Sequence, residues 1–208
     1  MDSSAQKNRI ERKDSCMDTH NRNRVIRLLL LFWLVLVQAS SSFAQDKGYE
    51  AAVSKWTSYE DVARWLDANF MFDSGRLDTV ISRTRSSGPS GLLARKPSGT
   101  YEQKSGYCTD SANFARQALN TINPAYKAQF IFIKNQYGQP HHWVTGFIVN
   151  EKIMVMDYGP GPEWKTMKGI HGPYDSLAQY AEYLRSLNIK RFTPELVEWR
   201  ATFPGQED

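Results

Sequence analysis

The chain has 208 residues, enough for one domain with a hydrophobic core, and a formal net charge of +4. Seven of its 26 Lys and Arg residues and four of its 22 Asp and Glu residues fall within positions 1–44, which leaves 19 positive and 18 negative side chains for the rest. A near-neutral body without a run of Lys or Arg argues against a nucleic-acid-binding protein, because such proteins need a basic face to displace counterions from phosphates.

The N-terminal segment has the order of a secretory signal peptide. Basic residues within 22–27 precede an uninterrupted apolar run over 28–37, and small residues lead to a candidate cleavage point after Ala44. Ten apolar residues rise about 15 Å as a helix, roughly half the hydrocarbon thickness, so a spanning anchor is the weaker alternative. We therefore expect residues 1–44 to be an N-terminal extension and signal peptide, with Met17 as a possible true start. The protein is then periplasmic or secreted and touches the membrane only through the transient signal peptide.

The number of cysteines left after cleavage bears on whether Cys108 is a reactive thiol. Cleavage after Ala44 removes Cys16 and leaves Cys108 as the single cysteine, so no internal disulfide can form. An unpaired thiol in an oxidising compartment raises the expectation that it reacts. The alternative is a free cysteine packed as a small apolar group.

The first element predicted after this segment is a scaffold helix over residues 58–70, where Thr57 and Glu60 form a capping box and apolar residues recur at helical spacing. Residues 82–104 are rich in Ser, Gly, Pro, Arg and Lys, which predicts a long mobile loop. That loop is a lid, a protease-sensitive tether or, as the favoured alternative, a plain solvated connection.

A second predicted helix begins at Cys108, because Ala112, Ala115 and later small or apolar residues fall on one face at helical spacing. The thiol therefore points inward at a helix N-terminus. Unpaired backbone N–H groups and the positive end of the helix dipole favour a thiolate there, and the N–H of Cys108 can donate to an oxyanion. Asp110 in the same turn is interpreted as an ordinary dipole partner without a role in the chemistry.

Three β-rich segments predict an antiparallel meander, at residues 128–134, 141–149 and 152–157. Asn150 and Glu151 form a tight connection between the last two, and Asp175 or Ser176 caps a final helix. The start of the second strand and the end of the third then lie side by side.

His141 opens the second of these strands and Asp157 closes the third, so the two side chains are expected to be near cross-strand neighbours. If Cys108 packs its helix end against that edge, the set is a nucleophile, a general base and an orienting acid. A metal site is not expected, because His141 and His142 diverge from adjacent strand positions and one thiolate is available. No cofactor is expected either.

These residues resemble the transglutaminase-like superfamily. The stretch from Gly106 to Ala112 looks like its G-x-C-x-x-x-A helix start, residues 141–143 look like its H-x-W strand start, and Asp157 falls where the family places its third residue. The resemblance covers about residues 56–160. It implies an α+β, papain-like fold for residues 45–208, with the nucleophile Cys108 at a helix N-terminus packed on an antiparallel sheet.

The H-x-W spacing of the family selects His141 as the base and leaves His142, on the opposite face, as a rim or core residue beside the packing residue Trp143. Thr145 stands where the family often has glutamate, and the chain lacks the β-sandwich domains and calcium sites of animal cross-linking enzymes, which disfavours a calcium-dependent transglutaminase. His171 is interpreted as a surface histidine.

The resemblance implies an exported cysteine peptidase, amidase or acyltransferase that acts on a peptide or protein substrate through a Cys108 thioester. The first alternative is a non-catalytic module that binds peptides or cell-wall polymers with the same fold. The second is a structural surface protein with an inert, buried thiol. No nucleic-acid partner is expected, and the oligomeric state is open.

Overall fold

The computed structural model describes residues 48–208, and the predicted signal peptide lies outside them. After a helical stretch over 48–53, the helices are α1 (Tyr59–Asn69), α2 (Ser74–Ser87), α3 (Pro97–Gln103), α4 (Cys108–Ile122) and α5 (Leu177–Ser186). The strands are β1 (Met71–Phe72), β2 (Leu93–Ala94), β3 (Ser105–Gly106), β4 (Gln129–Asn135), β5 (His142–Val149), β6 (Lys152–Asp157), β7 (Gly169–Tyr174), β8 (Pro194–Arg200) and β9 (Gln206–Glu207).

An antiparallel sheet in the order β7-β6-β5-β4-β8 organises these elements. The predicted meander forms its centre, and the tight connection at Asn150 and Glu151 is confirmed, with φ of 49° and 63° at the two residues. Positive φ at both positions is typical of a turn whose twist matches that of the flanking strands. Two short parallel pairs, β1 with β3 and β2 with β9, lie outside this sheet.

The sheet is covered on both faces because its strands alternate between two apolar clusters. Phe147 and Met156 pack with α1 and α4, where small residues such as Ala115 and Ala118 allow close approach. Ile131 and neighbours on the other face pack with α5. The result is an α+β architecture that holds the start of α4 beside the ends of β5 and β6.

The predicted helix over 58–70 is confirmed as α1, although Ser58 and Asp61 form its capping box in place of Thr57 and Glu60. Ser176 caps α5, as one of the two predicted caps. The predicted strands over 141–149 and 152–157 are confirmed as β5 and β6, with β5 starting at His142.

The predicted loop over residues 82–104 is wrong. It contains the end of α2, a 3-10 turn over Gly88–Gly91, β2 and α3. Its many small residues serve close packing: a Cβ added to Gly91 would lie 2.4 Å from the Arg83 carbonyl oxygen. Composition typical of loops was therefore misleading, because tertiary contacts hold this segment.

Within residues 48–208, no helix combines the length and the apolar character that crossing a membrane requires.

Candidate active site

The start of α4 is fixed by a buried carboxylate. Asp110 accepts hydrogen bonds from the backbone N–H groups of Tyr107 (2.7 Å) and Arg95 (2.6 Å), and the Arg76 guanidinium donates to both of its oxygens at 2.9 and 3.1 Å. The Asp110 side chain is fully buried. The sequence interpretation of Asp110 as an ordinary dipole partner was therefore incomplete, because this carboxylate anchors the backbone on which Cys108 sits.

A second contact ties α4 to the sheet. The Thr145 hydroxyl on β5 donates to the Ala112 carbonyl at 2.7 Å, and both groups are buried. This hydrogen bond gives Thr145 a structural reason to stand where the resemblance leads one to expect glutamate. It fixes the distance between the helix that carries Cys108 and the strand that begins at His142.

The partner of Asp157 is His142, not His141. The His142 Nε2 lies 2.7 Å from the Asp157 Oδ2, and both side chains are buried. Because Nε2 is engaged with Asp157, Nδ1 is the ring nitrogen left for a second partner, and the neighbouring Cys108 thiol contributes to raising the pKa of His142. The structure thus brings together Cys108, His142 and Asp157.

His141 is turned elsewhere. Its Nδ1 accepts a hydrogen bond from the backbone N–H of Asn135 at 3.2 Å, and its ring packs edge-on against Phe132. Burial and the charge of Lys134 lower its pKa, so the ring is neutral at pH 7. The prediction that His141 pairs with Asp157 is therefore wrong, while the prediction that the two histidines point to opposite faces is compatible with their separate partners.

The strand register explains which histidine meets Asp157. Val149 pairs with Lys152 and Thr145 with Met156, so one further step places Asp157 opposite Val144. Side chains two positions apart share a face, which puts His142 on the same face as Asp157 and excludes His141. Counting outward from the two-residue turn at Asn150 and Glu151 selects His142, whereas the H-x-W spacing selects His141.

The electrostatics of the pair favour a charged imidazole. Burial lowers the pKa of His142, but the charge of Asp157 and the hydrogen bond to it, together with the Cys108 thiol, raise it to about 10. His142 is therefore an imidazolium at pH 7. An imidazolium next to a sulfur at a helix N-terminus stabilises a thiolate.

Gly159 and Tyr107 lie next to Cys108, whose side chain is fully buried. Cys108 is 0% exposed, and a Cβ added to Gly159 would lie 2.4 Å from the Cys108 Cα. Tyr107 is buried in the same apolar cluster, and burial and the adjacent Cys108 raise the pKa of this tyrosine. Its hydroxyl donates to the His141 carbonyl at 3.2 Å.

Replacing Gly159 by alanine is expected to lower the free energy of unfolding by about 1–3 kcal/mol, because the added methyl group overpacks the backbone at Cys108. Urea denaturation measures this change. Gly75→Ala is the matched control, since the nearest atom to its added Cβ lies at 3.5 Å, an ordinary contact. Equal free energies of unfolding of the two variants would contradict this prediction and would show that the loop at Gly159 shifts at no cost in stability.

A cavity of about 310 Å³ opens beside the pair and is lined by His142, Gly159 and Tyr107 among other residues. We call it the His142 cavity. A second cavity of about 300 Å³ shares Tyr107 and Gln139 with it but is lined by His141 and Lys134. Ligand pockets in proteins begin at about this volume.

The remaining sequence interpretations concern other groups. Trp143 is buried against Phe130 and Phe132, as expected of a packing residue. His171 is half-buried and its Nε2 lies 2.6 Å from the Met167 carbonyl oxygen, so it is not a free surface histidine. Among residues 48–208, no group of three or more His, Cys, Asp or Glu side chains is placed to hold a metal ion.

A family model described as a transglutaminase-like domain matches residues 47–165, more than half of the chain, and the chain belongs to this family. The match covers α1 to β6 and includes Cys108, His142 and Asp157. Membership indicates a family of cysteine-dependent enzymes. No curated protein matches the chain.

Proposed function

We propose that the protein is a cysteine peptidase, amidase or acyltransferase in which Cys108 is the nucleophile, His142 the base and acid, and Asp157 the residue that orients the imidazole. The observation that carries this proposal is the buried 2.7 Å contact between His142 and Asp157, with the only cysteine in residues 48–208 as a neighbour that contributes to the pKa of His142. A buried charge pair is costly unless it is used or fully satisfied, so its place beside a thiol favours chemistry.

The reaction follows from the geometry. The Cys108 thiolate attacks the carbonyl carbon of an amide, and His142 transfers its proton to the leaving amine, which leaves a thioester on the sulfur. Water or a second amine, deprotonated by His142, then attacks the thioester and releases the thiol. The Cys108 N–H in the first turn of α4 is our candidate donor for the oxyanion, because Asp110 already accepts from the Tyr107 N–H.

Export of this enzyme is part of the proposal. Its support is the N-terminal order of basic, apolar and small residues, which leads to a cleavage point after Ala44. A periplasmic or secreted enzyme with one cysteine has no thiol partner in its own chain.

Mass spectrometry after incubation with a library of peptide amides tests the proposal. The expected result is a covalent acyl adduct on Cys108 in the wild-type protein and none in Cys108→Ala. Loss of the adduct on adding hydroxylamine identifies a thioester. A folded wild-type protein that never acquires an adduct would contradict the proposal.

A second function is favoured by one observation, the complete burial of Cys108. A peptide- or cell-wall-binding module with this fold would keep an inert thiol in that place. Such a module binds its ligand without forming an adduct, and its native thiol resists iodoacetamide.

A further inference from the structure

The His142 cavity has an aromatic wall and a polar mouth. Four aromatic side chains line it: Phe72, Tyr107, Tyr137 and Trp164. Apart from the buried His142, the charged groups among its lining residues are Glu163 and Arg191, which are exposed and so lie toward solvent. A polar side chain placed deep in this cavity would give up its hydration against the aromatic rings, whereas an apolar one would gain by the transfer.

Most of this wall is held in place by the fold. The Trp164 ring packs edge-on against the His142 ring, with centroids 5.8 Å apart, and lies 4.7 Å from the Phe192 ring. Phe72 packs against Gly161 so closely that an added Cβ would lie 3.2 Å from its ring. The cavity is therefore preformed next to the proposed base, as specific binding sites usually are.

Tyr137 is different from the other aromatic residues. It lies in the turn between β4 and β5 and is 62% exposed, one of the few large apolar side chains exposed in residues 48–208. Its backbone N–H donates to the Asn135 side chain at 3.3 Å, which holds the turn and leaves the ring at the cavity. The exposed ring lines the cavity, so a ligand that enters the cavity can bury it.

We propose that the His142 cavity holds a bulky apolar side chain that flanks the scissile amide of a peptide, and that Tyr137 is the residue that sets this specificity. The inference rests on the proposed function and names its substrate class. The second cavity is a poorer candidate for that side chain, because Lys134 and His141 line it and His142 does not.

Binding to a catalytically dead protein tests the cavity without requiring turnover. In a Cys108→Ala background, we expect N-acetyl-phenylalanine amide to bind at least about tenfold more tightly than N-acetyl-alanine amide, by NMR titration. Adding Tyr137→Ala is expected to reduce this ratio to less than about threefold. Tyr137→Phe is expected to keep it, because the ring and not the hydroxyl forms the wall.

Met71→Ala is the matched control, since Met71 is 67% exposed, is next to Phe72 and does not line the cavity. It should leave the binding ratio unchanged. Equal binding of the two probes, no saturable binding of either, or a preference that survives Tyr137→Ala would overturn the inference. If the probes bind as expected but wild-type Cys108 never forms a thioester, the enzyme proposal fails and the cavity remains a site for apolar side chains of peptides.

Discussion

The His142→Ala variant is expected to lose about 10²–10⁴-fold in the rate of peptide-amide acylation, the range typical of removing a general acid or base. Alkylation of Cys108 by iodoacetamide at pH 6 should also slow by about tenfold or more. The reason is that His142→Ala removes the imidazole that lies beside the sulfur and takes the thiol proton. Intact-protein mass spectrometry over time measures both rates.

The adjacent histidine supplies the control. His141→Ala should change both rates by less than about threefold, because the His141 ring bonds the Asn135 backbone and has no contact with Asp157. Asp157→Asn should lower both rates about as much as His142→Ala does, since the neutral amide of asparagine cannot stabilise the imidazolium charge. The opposite result, a large loss of rate in His141→Ala with no loss in His142→Ala, would contradict the assignment of His142. It would identify His141, which the H-x-W spacing selects, as the base. Circular dichroism of each variant confirms that the fold is retained.

The second large expected effect concerns Asp110, the buried carboxylate that fixes the start of α4. Arg76→Met is expected to lower the free energy of unfolding by about 3–5 kcal/mol, because it leaves the fully buried Asp110 carboxylate without its bidentate partner. Such a loss is a large part of the total stability of a domain of this size. Urea denaturation, compared with wild type at the same pH, measures it.

Arg64→Met is the matched control, because its guanidinium pairs with Asp61 but is 73% exposed. Exposed ion pairs contribute about 0–1 kcal/mol, so this variant should stay close to wild type. A double variant, Arg76→Met with Asp110→Asn, should recover part of the loss, since the uncompensated charge is gone. A loss below about 1 kcal/mol in Arg76→Met alone would contradict this prediction. It would mean that the backbone N–H groups of Tyr107 and Arg95, with the Arg95 guanidinium 4.0 Å away, are enough to stabilise the Asp110 carboxylate.

Several elements followed from local sequence signals. The apolar spacing of residues 58–70 and the small residues after Cys108 predicted α1 and α4, because a helix must repeat its buried face every three to four residues. The β-rich segments and the tight turn predicted the central hairpins in the same way. The prediction of a long loop over residues 82–104 was wrong because Gly, Ser and Pro favour loops locally, while here they permit close packing.

The sequence by itself determined that a cysteine begins a helix and that a histidine pair and an aspartate end neighbouring strands, because each of these facts depends on the spacing of nearby residues. Only the tertiary structure decided that Cys108 lies beside the pair of His142 and Asp157 and that Arg76, 34 positions before Asp110, neutralises the Asp110 carboxylate. The reason is that packing brings a helix end to a sheet edge, and a buried charge to its partner, from parts of the chain that local spacing does not relate to one another. Neither is encoded in any short stretch of the chain.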